Sequence, residues 1–139
     1  MSGKNQSLIT FNWQSTNPVT GFLPPPVIYG GGSAPSGVSS GTMSSTNTIY
    51  SQILEKSRMD NIGIELAWTG TPTGTISVLV SVSGINFPAL TFPINQPAGS
   101  AGTTALSLNQ LPFKYFMLQY TNASGSGLLM AYGQQQDLN

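Results

Sequence analysis

Between positions 62 and 83 apolar side chains recur at every second residue. Ile62, Ile64, Leu66 and Trp68 alternate with Gly63, Glu65 and Ala67. After Gly70-Thr71-Pro72-Thr73-Gly74 the rhythm resumes, with Ile76, Val78, Val80 and Val82 set against Thr75, Ser77, Ser81 and Ser83. Successive side chains of a strand point to opposite faces, so each run predicts a half-buried strand with Glu65 and Ser81 turned outward. Only Leu79 breaks the polar face. The Gly70–Gly74 linker is far too short for a parallel crossover, and the two strands are expected to pair as an antiparallel hairpin.

The rest of the C-terminal half follows the same pattern. Pro88 and Pro93 confine the extended pieces from Phe87 to Ile94 to edges or irregular strands, because proline cannot donate to a ladder. Gln96 to Gly102 reads as a loop, and Thr103 to Leu108 as a strand with Leu106 and Leu108 on one face. Tyr115 to Tyr120 is apolar on both faces, which suits a central strand covered on both sides. The turn residues Thr121 to Gly127 lead into Leu128 to Tyr132, predicting a second hairpin. Upstream, Leu8 to Trp13 alternates with Ile9, Phe11 and Trp13 on one side, and Thr48 to Leu54 reads as a further strand or a short helix. No segment carries a 3.6-residue period of helical length. The expected fold is all-β, an antiparallel β-sandwich of jelly-roll or related Greek-key kind, with Ile64, Leu66, Val78, Val80 and Leu118 in the core. Residues 1–59 hold an N-terminal strand, an extended arm or long loop and a connecting segment. Residues 60–139 hold the main part of the sandwich and a short C-terminal tail.

Chemistry is scarce in this chain. Only 6% of its 139 residues are charged and the net charge is zero, against about a quarter charged in ordinary soluble domains. A surface so poor in charge gives little protection against association, which points to a homo-oligomer or a high-copy assembly. The basic residues Lys4, Lys56, Arg58 and Lys114 are too few and scattered for a groove that tracks phosphates, so nucleic acid is not expected as a partner. Histidine and cysteine are both absent. Their absence removes the usual general base, the thiol nucleophile and the best transition-metal ligands, so no catalytic, cofactor or metal site is expected. Catalysis by paired carboxylates would have to draw on Glu55, Asp60 and Glu65, since Asp137 lies at the C-terminal end, and these read instead as charge balance for Lys56 and Arg58. Asn5-Gln6-Ser7 and Asn122-Ala123-Ser124 match the glycosylation triplet, and with no export signal expected both read as chance matches. No apolar run is long enough to span a bilayer, so a membrane is not expected, and Met1-Ser2-Gly3-Lys4-Asn5-Gln6-Ser7 lacks the apolar region of a signal peptide, so the protein is expected to be made and used without export.

The N-terminal third differs from the remainder. Pro24-Pro25-Pro26 favours a polyproline segment, and Gly30-Gly31-Gly32 through Gly41 is rich in Gly and Ser. Phe22, Leu23, Val27, Ile28 and Tyr29 flank the prolines and read as side chains that dock onto a neighbouring protein. Trp68, last on the inward face of its strand, is a core residue, whereas Trp13 fits either core or contact anchor.

The segments Gly74-Thr75-Ile76-Ser77-Val78 and Ser81-Val82-Ser83-Gly84-Ile85-Asn86-Phe87 resemble a pattern of small β-sandwich virion proteins of tailed bacteriophages. So do Leu111-Pro112-Phe113-Lys114-Tyr115-Phe116-Met117-Leu118-Gln119-Tyr120-Thr121 and Ser124-Gly125-Ser126-Gly127-Leu128. The resemblance covers about residues 60 to 133. It departs where such proteins often carry Asp-Gly before an Asn-Trp pair, for this chain has Ser83-Gly84 and Asn86-Phe87. The resemblance implies a capsid decoration or cement protein on the virion surface, made in the host cytoplasm and bound to the major capsid protein and to neighbouring copies of itself. The alternative it implies is a tail, baseplate or fibre component, in which Trp13, Trp68 or Tyr132 would stack on sugars.

Overall fold

The computed structural model describes residues 6–15, 17–18, 40–55, 61–90, 94–108 and 112–136. Its strands are β1 (Gln6–Thr10), β2 (Gly41–Met43), β3 (Thr48–Tyr50), β4 (Leu54–Glu55) and β5 (Asn61–Trp68), then β6 (Thr73–Ser81), β7 (Ala89–Leu90), β8 (Gly102–Ser107), β9 (Tyr115–Ser124) and β10 (Gly127–Gln136). No helix occurs among the described residues. One sheet has the order β1-β10-β5-β8, with β2 also on β10, and the other has β3-β9-β6-β7, with β4 also on β9. Every pairing is antiparallel.

With β2 and β4 taken as prolongations of β1 and β3, early strands pair with late ones: β1 with β10, β3 with β9, β5 with β8, β6 with β7. This is one long hairpin rolled up on itself, the jelly-roll form of the β-sandwich. The roll overturns both hairpins expected from the sequence. Strand β5 pairs with β10 and β8, whereas β6 pairs with β9 and β7, so the Gly70–Gly74 linker turns a corner between facing sheets. Strands β9 and β10 likewise belong to different sheets. A short linker rules out a parallel crossover, but a sheet-to-sheet corner satisfies it as well as a hairpin does, and side-chain alternation is identical in the two cases. The consecutive strands that do form a hairpin are β6 and β7, at the tip of the long hairpin.

The two corners close on each other. Thr71 N donates to Ser126 O at 2.9 Å and Thr69 N to Leu128 O at 3.0 Å. Gly125 lies in the left-handed region at φ 73°, and a Cβ there would collide with the Thr71 carbonyl, so the corner requires glycine on both counts. Asn122 fixes the same end. Its side chain is buried; Oδ1 accepts from the Tyr120 hydroxyl at 2.7 Å, and Nδ2 donates to Ser45 O at 2.8 Å and to Gly125 O at 3.0 Å. Asn122 is thus committed inside the protein and does not present its amide to solvent, as a glycan acceptor would.

Between the sheets lies one core that includes Phe11, Leu66, Val80, Phe116, Leu118 and Leu129, and the expected core residues Ile64, Leu66, Val78, Val80 and Leu118 all belong to it. Leu106 and Leu108 join them. A second cluster of Ile53, Leu79, Tyr115 and Met117 sits on the outer face of the β3-β9-β6-β7 sheet, with Tyr50 and Phe87 packed against it. This accounts for β9 being apolar on both faces and for Leu79 interrupting the polar face of β6. It also corrects two expectations at the end of β6. Ser81 is not outward but buried, its Oγ accepting from Gly84 N at 2.8 Å. Val82 is not core but 69% exposed, because the strand ends at Ser81. The segment from Thr48 to Leu54 resolves into two strand pieces. Between them buried Ser51 keeps contact with β9, donating its N–H to Leu118 O at 2.9 Å and accepting Leu118 N on its Oγ at 2.8 Å.

Candidate interaction surfaces

Among the described residues, two surfaces combine exposure with apolar or aromatic character. The first is the outer face of the β1-β10-β5-β8 sheet. Leu129 and Ala131 of β10 point into the core, so alternation turns Leu128 and Tyr132 outward. They are 47% and 44% exposed. Tyr132 stands opposite Glu65 of β5, and Glu65 opposite Ala105 of β8, forming one row across three strands. The next row sets Gln134 beside Gly63 and Ser107. Large residues on β10 next to small ones on β5 and β8 leave a groove of about 380 Å³ lined by Tyr132, Gln134, Gly63, Glu65 and Ala105. Chemically it offers one phenol ring, one carboxylate and one amide over a floor of small side chains.

The second surface is the loop that joins β6 to β7. Gly84 at φ 82° lets the chain reverse. Ser81 Oγ accepts from Gly84 N, and Ser83 Oγ accepts from Ile85 N at 3.1 Å and Asn86 N at 3.4 Å. These bonds hold a loop that projects Val82 and Ile85 into solvent, at 69% and 62% exposure. Beside it an open recess of about 600 Å³ runs past Phe87 and Pro88 to Leu79 and Met117.

Of the interface residues expected from sequence, Phe22, Leu23, Val27, Ile28 and Tyr29 lie outside the described residues. Trp13 is in the core, 9% exposed. Trp68 is also core, its Nε1 donating to Ser100 O at 2.9 Å. Of the three aromatics considered for sugar stacking, Tyr132 alone reaches the surface. Glu65 is exposed as expected. Glu55, on β4 of the facing sheet, pairs with Lys114 at 3.8 Å; Asp60 and Asp137 lie outside the described residues. The Val82–Ile85 loop was missed because alternation ran on past Ser81. The signal was present in Ser83-Gly84, a turn dipeptide that ends the strand.

No family model and no curated protein matches the chain. Solved structures that resemble it include the CBM22-1 and GH10 modules of a Clostridium thermocellum endo-1,4-beta-D-xylanase complexed with xylohexaose, at a TM-score of 0.44 and 14% identity, covering 69% of this chain and 20% of that one. TmCBM61 in complex with beta-1,4-galactotriose resembles it at a TM-score of 0.42 and 9% identity over 70% of this chain and 67% of the other. The enzymatically active domain of bacteriophage CBA120 tailspike protein 4 does so at 0.45 and 11%, over 99% of this chain and 20% of the other. The chain thus spans about a fifth of the xylanase and tailspike chains. Likeness at this level assigns no ligand, activity or partner.

Proposed function

We propose that this chain is a non-enzymatic structural protein of a phage virion that binds and stabilises the capsid shell as a decoration protein. The observation that carries this reading is the Val82–Ile85 loop, two aliphatic side chains held in water by a bonded turn on a surface with hardly any charge. Burying each side chain in a partner is worth about 1.5 to 3 kcal/mol, and a loop already ordered loses little further entropy on docking. Repeated over many copies on a lattice, contacts of that size give a firm attachment. The test is a Val82→Ser/Ile85→Ser double variant, expected to keep the circular dichroism of the parent and to lose occupancy on purified particles. Full occupancy by the double variant would overturn the loop as the attachment point.

A second reading rests on the Tyr132 groove. A phenol ring can stack on the apolar face of a sugar while Glu65 and Gln134 bond its hydroxyls, which suits a carbohydrate-binding component of the tail or fibre. Glycan binding that is abolished by Tyr132→Ala, in a protein that does not occupy capsids, would put this reading in place of the first.

A further inference from the structure

We propose that the outer edge of β8 is a docking edge whose occupant is β8 of a second copy, paired antiparallel about Ala105. The inference does not depend on which partner the Val82–Ile85 loop or the Tyr132 groove engages. It starts from the hydrogen-bond phase of the strand. Leu108 N donates to Ile62 O at 2.8 Å, continuing the register that sets Leu106 opposite Ile64 and Thr104 opposite Leu66. Bonded and non-bonded pairs alternate along an antiparallel ladder. The backbone groups of Leu106 and Thr104 therefore face β5, while those of Thr103, Ala105 and Ser107 face away from it. Among the described residues no strand pairs with β8 on that side.

The contrast with β6 shows that this openness is not general. Where β7 is too short to cover β6, the chain on either side of β7 closes the edge: Val80 N donates to Pro88 O at 2.9 Å, before β7, and Gly74 N to Pro97 O at 3.0 Å, after it. At Ile76 the Gln96 side chain stands in for a strand, its Oε1 accepting from Ile76 N at 2.5 Å and its Nε2 donating to Ile76 O at 3.2 Å. Among the described residues no chain segment or amide side chain bonds the outward-facing backbone groups of strand β8, Gly102-Thr103-Thr104-Ala105-Leu106-Ser107; Asn95 N reaches only the inward Thr104 Oγ1, at 3.2 Å, and the strand holds no proline or charge of its own. Those are the features by which proteins prevent an edge from pairing.

Self-pairing fits this edge better than pairing with an arbitrary strand. A two-fold axis at Ala105 sets Ala105 opposite Ala105, Thr103 opposite Ser107 and Thr104 opposite Leu106, so all three outward-facing positions form bonded pairs and exchange about six hydrogen bonds. No charged side chain meets its own copy. The nearest carboxylate, Glu65, sits one strand in on each side. The two would be about three strand spacings, or ~14 Å, apart, beyond the screening length at physiological salt. The paired sheets would continue from β10 of one copy to β10 of the other.

Three measurements test it. Sedimentation should show a dimer that grows with concentration. Ala105→Pro removes an N–H that faces away from β5, so it should keep the strand-type circular dichroism while weakening dimerisation by at least about tenfold. Because the chain has no cysteine, Ala105→Cys gives a clean cross-link. The Cβ atoms of a bonded antiparallel pair stand about 5.5 Å apart, beyond the ~4.5 Å limit of a direct disulfide, so a short bis-maleimide linker, rather than oxidation, should yield a covalent dimer, and Ala123→Cys should not. A parent that stays monomeric at high concentration, a dimer that survives Ala105→Pro, or cross-linking no faster at 105 than at 123 would each overturn the proposal. Loss of particle binding in Ala105→Pro, with a monomeric parent, would assign the edge to a different chain and overturn it as well.

Discussion

Replacing Asn122 by alanine tests whether one buried amide holds the corner end of the roll together. The substitution removes an acceptor from the Tyr120 hydroxyl and two donors from the carbonyls of Ser45 and Gly125. Ser45 and Gly125 are exposed residues, so their carbonyls can turn to water, and each lost bond costs about 0.5 to 1.5 kcal/mol. Tyr120 is 0% exposed. Its orphaned hydroxyl costs about 1 to 3 kcal/mol more. The expected loss is thus about 2 to 6 kcal/mol, which at a urea slope of roughly 2 kcal/mol/M moves the unfolding midpoint down by about 1 to 3 M with the slope unchanged. A double-mutant cycle isolates the mechanism. Tyr120→Phe alone leaves Asn122 Oδ1 buried without its donor, at about 1 to 2 kcal/mol; in the double variant the orphaned hydroxyl no longer exists, so the combined loss should fall short of the sum by about 1 to 2 kcal/mol. A loss under about 0.5 kcal/mol for Asn122→Ala, or strict additivity in the cycle, would refute the assignment of Asn122 as the pin.

Three further outcomes follow from burial. Val80→Asp places an unpaired charge in the core and should abolish folding, whereas Val82→Asp, two residues on and exposed, should shift stability by no more than about 0.5 kcal/mol; soluble yield and circular dichroism distinguish them. Ser81→Asp should destabilise by about 2 to 4 kcal/mol in urea unfolding, since Ser81 is buried and its Oγ bonds Gly84 N. Burial raises the Tyr120 pKa above its ordinary 10.0, so the fold favours the neutral phenol. That contribution is fully present below pH about 10 and is lost as pH rises through the folded-state pKa. Alkaline titration of the unfolding midpoint should fall less steeply in Tyr120→Phe than in the parent.

The sequence makes strand faces legible and strand partners illegible. Ile64, Leu66, Val78 and Val80 were assignable because a two-residue period fixes which side is buried whatever lies opposite. The doubly apolar Tyr115–Tyr120 stretch also announced its own cover, which the Ile53 cluster supplies. Pairing was not assignable, because a short Gly/Pro linker fits both a hairpin and a corner. What selects the corner here is a contact between two distant turns, Thr69 to Thr71 against Ser126 to Leu128, and nothing local in either turn encodes it. Tyr132 reads from the sequence only as one of three aromatics that could stack on sugars, and the groove beside it depends on Gly63 and Ala105 coming to rest on adjacent strands. The polar network of Asn122 was hidden for the same reason. Its partners at Ser45 and Gly125 are brought together only by the completed roll.

The roll also separates what stabilises the molecule from what it offers to partners. Strand β6 has 9 residues and so spans about 26 Å from Thr73 to Ser81 at ~3.3 Å per residue. Its first end adjoins the glycine corners, where Thr73 stands opposite Ser124 and the Asn122 network lies close by. Its far end carries the loop with Val82 and Ile85. Sites this far apart with no shared partner combine additively. Asn122→Ala should therefore lower the unfolding midpoint without changing particle occupancy below that midpoint, and Val82→Ser/Ile85→Ser should do the reverse. If Asn122→Ala detached the protein while still folded, the attachment surface would lie at the corner end, and the loop would be an exposed turn with no partner.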